Sequence, residues 1–183
     1  MIAFIIFLFF TASFAGYLWE IFFMWTRYTA FFNRGFFYGP WLPVYGIGAV
    51  LLYLILSPLR KKPLAVFFLS GVLGSLTELV IGLTLDTYWD MRYWDYSGQL
   101  LAVGSYVCLY SFLGFCLAGC LWVCFLAEWL KRIFFRFPVK FRRLFVCILS
   151  ALFLADLCFA LLRPNQGEGI TFSFSLVSYT FGL

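Results

Sequence analysis

Residues Asn33 to Gly46 read NRGFFYGPWLPVYG, and this stretch decides how the chain is built. It packs an arginine, two prolines and three glycines into fourteen residues, yet it lies between two long apolar runs. Proline removes a backbone donor and breaks a helix, and glycine weakens one, so a continuous helix here is excluded. In lipid an irregular backbone is tolerated only where protein or water satisfies its polar groups. The stretch is therefore expected to border a protein-lined or wet site at membrane depth.

The composition supports a membrane setting. Hydrophobic residues make up 64% of the 183 positions and charged residues only 11%, against roughly a quarter charged in a soluble domain. Five segments are apolar enough to cross a bilayer: Ile2 to Met24, Trp41 to Leu56, Leu64 to Leu85, Leu100 to Leu130 and Leu144 to Leu162. The fold class is all-α integral membrane, with an irregular or re-entrant segment before the second helix. The second segment is short, so the chain from Tyr38 to Tyr45 is expected to dip into the membrane as irregular backbone. The fourth would run to about 46 Å at 1.5 Å per residue and should tilt or bend near Gly104 or Gly114. Residues 1–163 are read as one polytopic domain and 164–183 as a tail outside the cell. The tail's TFSFSLVSYTFGL, from Thr171, alternates as a strand would, with no evident partner.

Basic residues give the orientation. Arg60, Lys61 and Lys62, with six more in KRIFFRFPVKFRR from Lys131 to Arg143, lie on one side, against Arg27, Arg34, Arg92 and Arg163 on the other. The positive-inside rule then puts the N-terminus in the cytoplasm and the C-terminus outside. The Phe-rich basic stretch reads as an interfacial anchor for anionic lipid, with a docking surface for a cytoplasmic ATPase as the alternative.

Histidine is absent, which removes the usual general base and the commonest zinc ligand. The six cysteines form no C-x-x-C pair, and Cys116, Cys120 and Cys124 read as small packing residues along one helix face. No cofactor, metal site or nucleic-acid partner is expected. The polar groups that remain gather at one end: Glu20 late in the first segment, the Asn33–Gly46 turn, Glu78 late in the third, and DTYWDMRYWDYS from Asp86. An intramembrane carboxylate is costly and tends to face a cavity or a partner, so Glu20 and Glu78 are candidate site residues. Arg34 is the cation for either acid or a contact for a lipid phosphate or an anionic ligand, and Asp86, Asp90 and Asp95 are spaced for one side of an interfacial helix, where they would bind a cation or orient Arg92 and Arg34.

Trp19-Glu20, NRGFFYGPWLPVYGIGA from Asn33 to Ala49, Glu78, and YWDYS from Tyr93 to Ser97 occur in that order. Over roughly residues 1–125 the chain thereby resembles the small bacterial multi-pass proteins of the Putative ABC-transporter type IV permease family. The resemblance implies an inner-membrane transport component and marks Trp19, Glu20, Asn33, Arg34, Gly35, Tyr38, Gly39, Pro40, Pro43, Tyr45, Gly46, Glu78, Trp94, Asp95, Tyr96 and Ser97. In one place the chain departs from the family pattern: Ser105-Tyr106-Val107-Cys108-Leu109 carries Tyr106 where an arginine is expected. With no GxxxxGK[ST] loop in the sequence, an ATPase would be a separate subunit.

The leading expectation is a permease-like component with an outward-facing cavity lined by Glu20, Asn33, Arg34, Tyr38, Glu78, Asp95 and Tyr96. The alternatives are a membrane enzyme acting on a lipid or lipid-linked headgroup, with Glu78 and Asp95 or Glu20 as acid and base, and an accessory subunit that stabilises a membrane complex. No catalytic residue is assigned. Membrane lipids, an ATPase or other membrane subunit, and a second copy of the chain are the expected partners.

Overall fold

The computed structural model describes residues 1–28, 36–92, 94–163, 165 and 171–172. Helix α1 runs Ile2–Tyr28, α2 Pro43–Leu56, α3 Pro63–Trp89, α4 Leu109–Leu121, α5 Ala127–Arg136 and α6 Val139–Leu162. A π-helical stretch, Trp122–Leu126, joins α4 to α5 so that Leu109–Arg136 forms one rod of 28 residues. That rod, α1, α3 and α6 are each long and apolar enough to cross a membrane, and α2 is a shorter apolar helix. The chain is an all-α, multi-pass membrane protein.

The helix boundaries follow from local chemistry. Pro43 and Pro63 each sit in the first turn of their helix, where a missing N–H costs nothing and the fixed φ is already helical. Cys108 caps α4 in a reciprocal exchange: its N–H donates to Ser111 Oγ at 3.1 Å and its Sγ accepts from the Ser111 N–H at 3.5 Å. Helix α3 ends where Asp90 turns left-handed, at φ 51°.

One expectation from the sequence changes here. The fourth crossing starts at Leu109, not Leu100, and its irregularity falls at 122–126 instead of Gly104 or Gly114. Residues 97–107 are turns, because Gly98, Leu101 and Gly104 all take positive φ and Val103 pairs back onto Val107. The basic stretch Lys131–Arg143 is built into two helices. It is the end of α5, a two-residue break at Phe137-Pro138, and the start of α6.

The helices alternate in direction. One end carries the turns at 57–62 and 137–138 with their cationic residues, and Arg60 pairs there with Glu128 while Arg142 lies over the Phe135 ring at 4.7 Å. The N-terminus is at this basic end, since Phe4 meets Phe134 at 5.6 Å and Tyr53 at 5.8 Å between ring centroids. The opposite, loop end carries residues 36–42 and 90–108. Thr171–Phe172 lies antiparallel to Met91–Arg92 at the loop end, so the strand-like start of the tail does find a partner.

Small residues let the helices touch, as close packing between apolar helices in lipid requires. On α3, Gly71 faces Cys116, Gly74 faces Phe115, and Ser70 faces Gly119 of α4. Cys120 and Cys124 point their thiols at the carbonyls of Pro63 and Arg60, both at 3.6 Å. Helices α1 and α2 cross at Gly46, where a Cβ would stand 2.2 Å from Ser13 Oγ and 2.7 Å from the Phe9 carbonyl oxygen. Gly46→Val is expected to lower stability in detergent by about 1–3 kcal/mol through overpacking. Gly48→Val, with nothing within 4 Å of its Cβ, should leave the melting temperature unchanged. Equal melting of the two variants would contradict this packing.

Candidate functional site

The loop end brings together polar groups from four helices and two connections. Glu20 lies one turn beyond Gly16 on α1, and Gly16 leaves room for the Tyr45 ring, which a Cβ would strike at 2.2 Å. Seated there, the Tyr45 hydroxyl donates to Glu20 Oε1 at 2.6 Å. A tyrosine from the start of α2 thus holds the acid of α1.

A second pair repeats the chemistry on α3. The Tyr96 hydroxyl donates to Glu78 Oε1 at 3.0 Å. Glu78 Oε2 is enclosed and has no hydrogen-bond partner among the described residues. The neighbouring Ser111 hydroxyl bonds the Cys108 backbone at 3.0 and 3.1 Å and also acts on the Glu78 carboxylate. A buried polar atom without a partner is uncommon and marks a place for a water, a proton or a ligand.

The two pairs sense each other. Burial pushes the Tyr96 phenol above its ordinary 10.0, the Glu78 charge and hydrogen bond push further, and Glu20 adds to the same effect. Because the folded state favours the protonated phenol, its stabilising contribution is complete below pH 10 and is lost as pH rises through the elevated folded value. In an alkaline absorbance titration Tyr96→Phe should remove one late-ionising phenol. An unchanged number of late-ionising phenols would contradict this environment.

Beside these pairs is a clamp that reading the sequence did not find. Asp156, on α6, accepts from the Tyr38 N–H at 3.1 Å, the Gly39 N–H at 2.9 Å and the Trp41 indole at 2.6 Å. The Tyr38 hydroxyl donates to the Arg163 carbonyl at 3.1 Å, and the Leu42 N–H to the Ser13 carbonyl at 3.1 Å. The helix breakers therefore leave backbone donors free, and an acid in the adjacent span accepts them. Gly39 is required because a Cβ would meet the Trp41 indole at 2.5 Å. The signal was present in the sequence: Asp156 is the one charged residue between Leu144 and Leu162.

A third cluster fixes the loop after α3. Asp86 accepts from Arg92 Nε at 3.0 Å and Nη2 at 2.8 Å, and also from the Tyr106 hydroxyl. Tyr106 reaches it by lying over Gly82, and Trp94 donates its indole N–H to the Tyr106 carbonyl at 2.9 Å. Asp86, Asp90 and Asp95 do not share a helix face, since Asp90 terminates α3 and Asp95 accepts from the Ser97 N–H at 2.7 Å within its own turn. Of the residues expected at the site, Glu20, Glu78 and Tyr96 come together, Tyr38 belongs to the Asp156 clamp, and Asp95 is exposed. Asn33 and Arg34 lie outside the described residues. Among the described residues, no three cysteine or acidic side chains group as a metal site.

A family model described as Putative ABC-transporter type IV matches residues 7–161, a span that takes in both acid–tyrosine pairs and Asp156. No curated protein and no solved structure matches the chain.

Proposed function

We infer the function from one premise: the chain belongs to the family described as Putative ABC-transporter type IV. It is a transporter-like membrane component whose polar site at the loop end is built on Glu20–Tyr45 and Glu78–Tyr96. The single observation that carries this reading is the unpartnered, enclosed Glu78 Oε2 beside a second acid–tyrosine pair. What completes such a site is a hydrogen-bond donor: an amine, a hydroxyl, or a proton carried by water. Tyr38 borders it in this proposal, and the Asp156 clamp supports the entrance.

The site faces out of the cell. Supporting this, nine of the thirteen basic residues fall at the opposite end, which the positive-inside rule assigns to the cytoplasm. The N-terminus is then cytoplasmic and the tail extracytoplasmic. Energy comes from a separate ATPase subunit, as the sequence holds no phosphate-binding loop of its own.

The test is a comparison of solute content inside and outside cells that lack or carry the protein. Transport predicts that at least one small, donor-bearing solute shifts across the membrane while lipid composition stays constant. Altered lipid species with unchanged solutes would replace this reading with lipid-headgroup chemistry.

A further inference from the structure

Between the basic end and the polar site, α2 and α6 stand apart over α1 and leave an open cavity of about 420 Å³. Ile6 and Phe9 form its floor, Ile47 and Leu51 one wall, and Ser150 and Leu154 the other. Ser150 is the one polar residue among those lining it, and the surrounding helices are read as membrane spans. An apolar cavity of this kind does not hold water.

The two ends of the cavity differ. Toward the loop end it is blind, because Phe10, Trp41 and Phe153 meet across it with ring centroids 5.8–6.1 Å apart. Toward the basic end its three stripes continue by helical spacing to Ile2 on α1, Leu54 on α2 and Arg143 on α6. Ile2 is 77% exposed and Leu54 54%, so the walls stay open and apolar as far as the membrane surface. Arg143 is exposed, has no ion pair among the described residues, and lies two turns below Ser150 on the same face, a rise of about 10 Å. By helical spacing, an exposed guanidinium with no ion pair among the described residues thus lies below the blind apolar groove.

We propose that this groove is a binding site for an anionic phospholipid, with one acyl chain held between α2 and α6 against α1 and the phosphate on Arg143. The volume lies within the range of ordinary ligand pockets, roughly 300–1,000 Å³. The shape argues for a chain entering from the basic leaflet and ending against the aromatic lid. The charge argues for a phosphate that accepts the bidentate fork of an arginine.

The test is native mass spectrometry of the intact protein, exchanged from detergent with phosphatidylglycerol or phosphatidylcholine. The wild type should retain one phosphatidylglycerol. Leu51→Trp, which fills the groove from a half-exposed wall position, should lose retention of both lipids. Arg143→Gln should lower phosphatidylglycerol retention roughly fivefold and leave phosphatidylcholine unaffected. Equal retention by wild type and Leu51→Trp at matching melting temperatures would overturn the site, as would a protein dimer that excludes lipid. Should Leu51→Trp fail to fold, phosphatidylglycerol with a photoreactive chain terminus can be crosslinked to the wild type. Labels concentrated on residues 6–10 and 150–154 support the groove, whereas labels spread evenly over α3 refute it.

Discussion

Asp156→Ala is expected to unfold the loop end while leaving the helices inserted. The carboxylate accepts two backbone N–H groups and one indole N–H, and the bonds from Gly39 and Trp41 are partly buried. Each donor stranded away from water costs about 1–3 kcal/mol, and bonds to a charged acceptor lie at the upper end of that range. Two such losses lower the melting temperature by roughly 10–20 °C for a chain of this size. Asp156→Asn keeps one acceptor oxygen but turns an amide donor toward the remaining N–H groups, so it should fall between the alanine variant and the wild type. Trp41→Phe removes one bond alone and should cost about 1 kcal/mol. Limited proteolysis gives an independent reading, with new cleavage between residues 36 and 42 in Asp156→Ala. An alanine variant that melts with the wild type would show that the clamp contributes no stability.

Glu78→Gln is expected to do the opposite, preserving the fold and removing the transport phenotype. Glutamine has nearly the same volume, and its side-chain oxygen can accept the Tyr96 hydrogen bond that Glu78 Oε1 accepts at 3.0 Å. What disappears is the acceptor capacity of Oε2, which no described residue uses. A group that serves only to pack would tolerate the change, whereas a group that completes its hydrogen bonding with a ligand would not. Losing a charged contact worth about 1.5–3 kcal/mol corresponds to roughly a ten- to hundredfold loss of the solute shift. The melting temperature should stay within a few degrees of the wild type, which separates this outcome from that at Asp156. Full transport in Glu78→Gln would reduce the pair to a structural contact.

The spans were legible because length and hydropathy decide them, and Pro43 and Pro63 mark two helix starts by a local rule. The start of the fourth was not, since LLAVGSYVC from Leu100 is as apolar as the helix it precedes. Only the left-handed backbone at Leu101 and Gly104 turns it away from helix, and an apolar leucine gives no sign of that. The tail showed a strand alternation at Thr171, but its partner Met91–Arg92 is two residues within an aromatic loop, too short to carry a periodic signal.

At the site, Glu20 and Glu78 stood out as acids in apolar surroundings. Their tyrosine partners come from elsewhere in the chain, 25 and 18 residues away, and only the folded arrangement pairs them. Asp156 is 115–118 residues from the groups it accepts, and no motif spacing links such distant positions. Tyr106, the departure from the family pattern, proves to share Asp86 with Arg92, so the guanidinium at this acid comes from the preceding loop.

The central proposal is a polar site around Glu20 and Glu78 that is reached from the outside of the cell. The most direct measurement places single cysteines at these two positions in a background lacking the six native cysteines and adds a membrane-impermeant thiol reagent to intact cells. The account predicts labelling of Glu20→Cys and Glu78→Cys from outside, with Gly48→Cys, on the lipid-facing side of α2, unlabelled. Labelling only after the cells are opened, or none at either acid position, would contradict it.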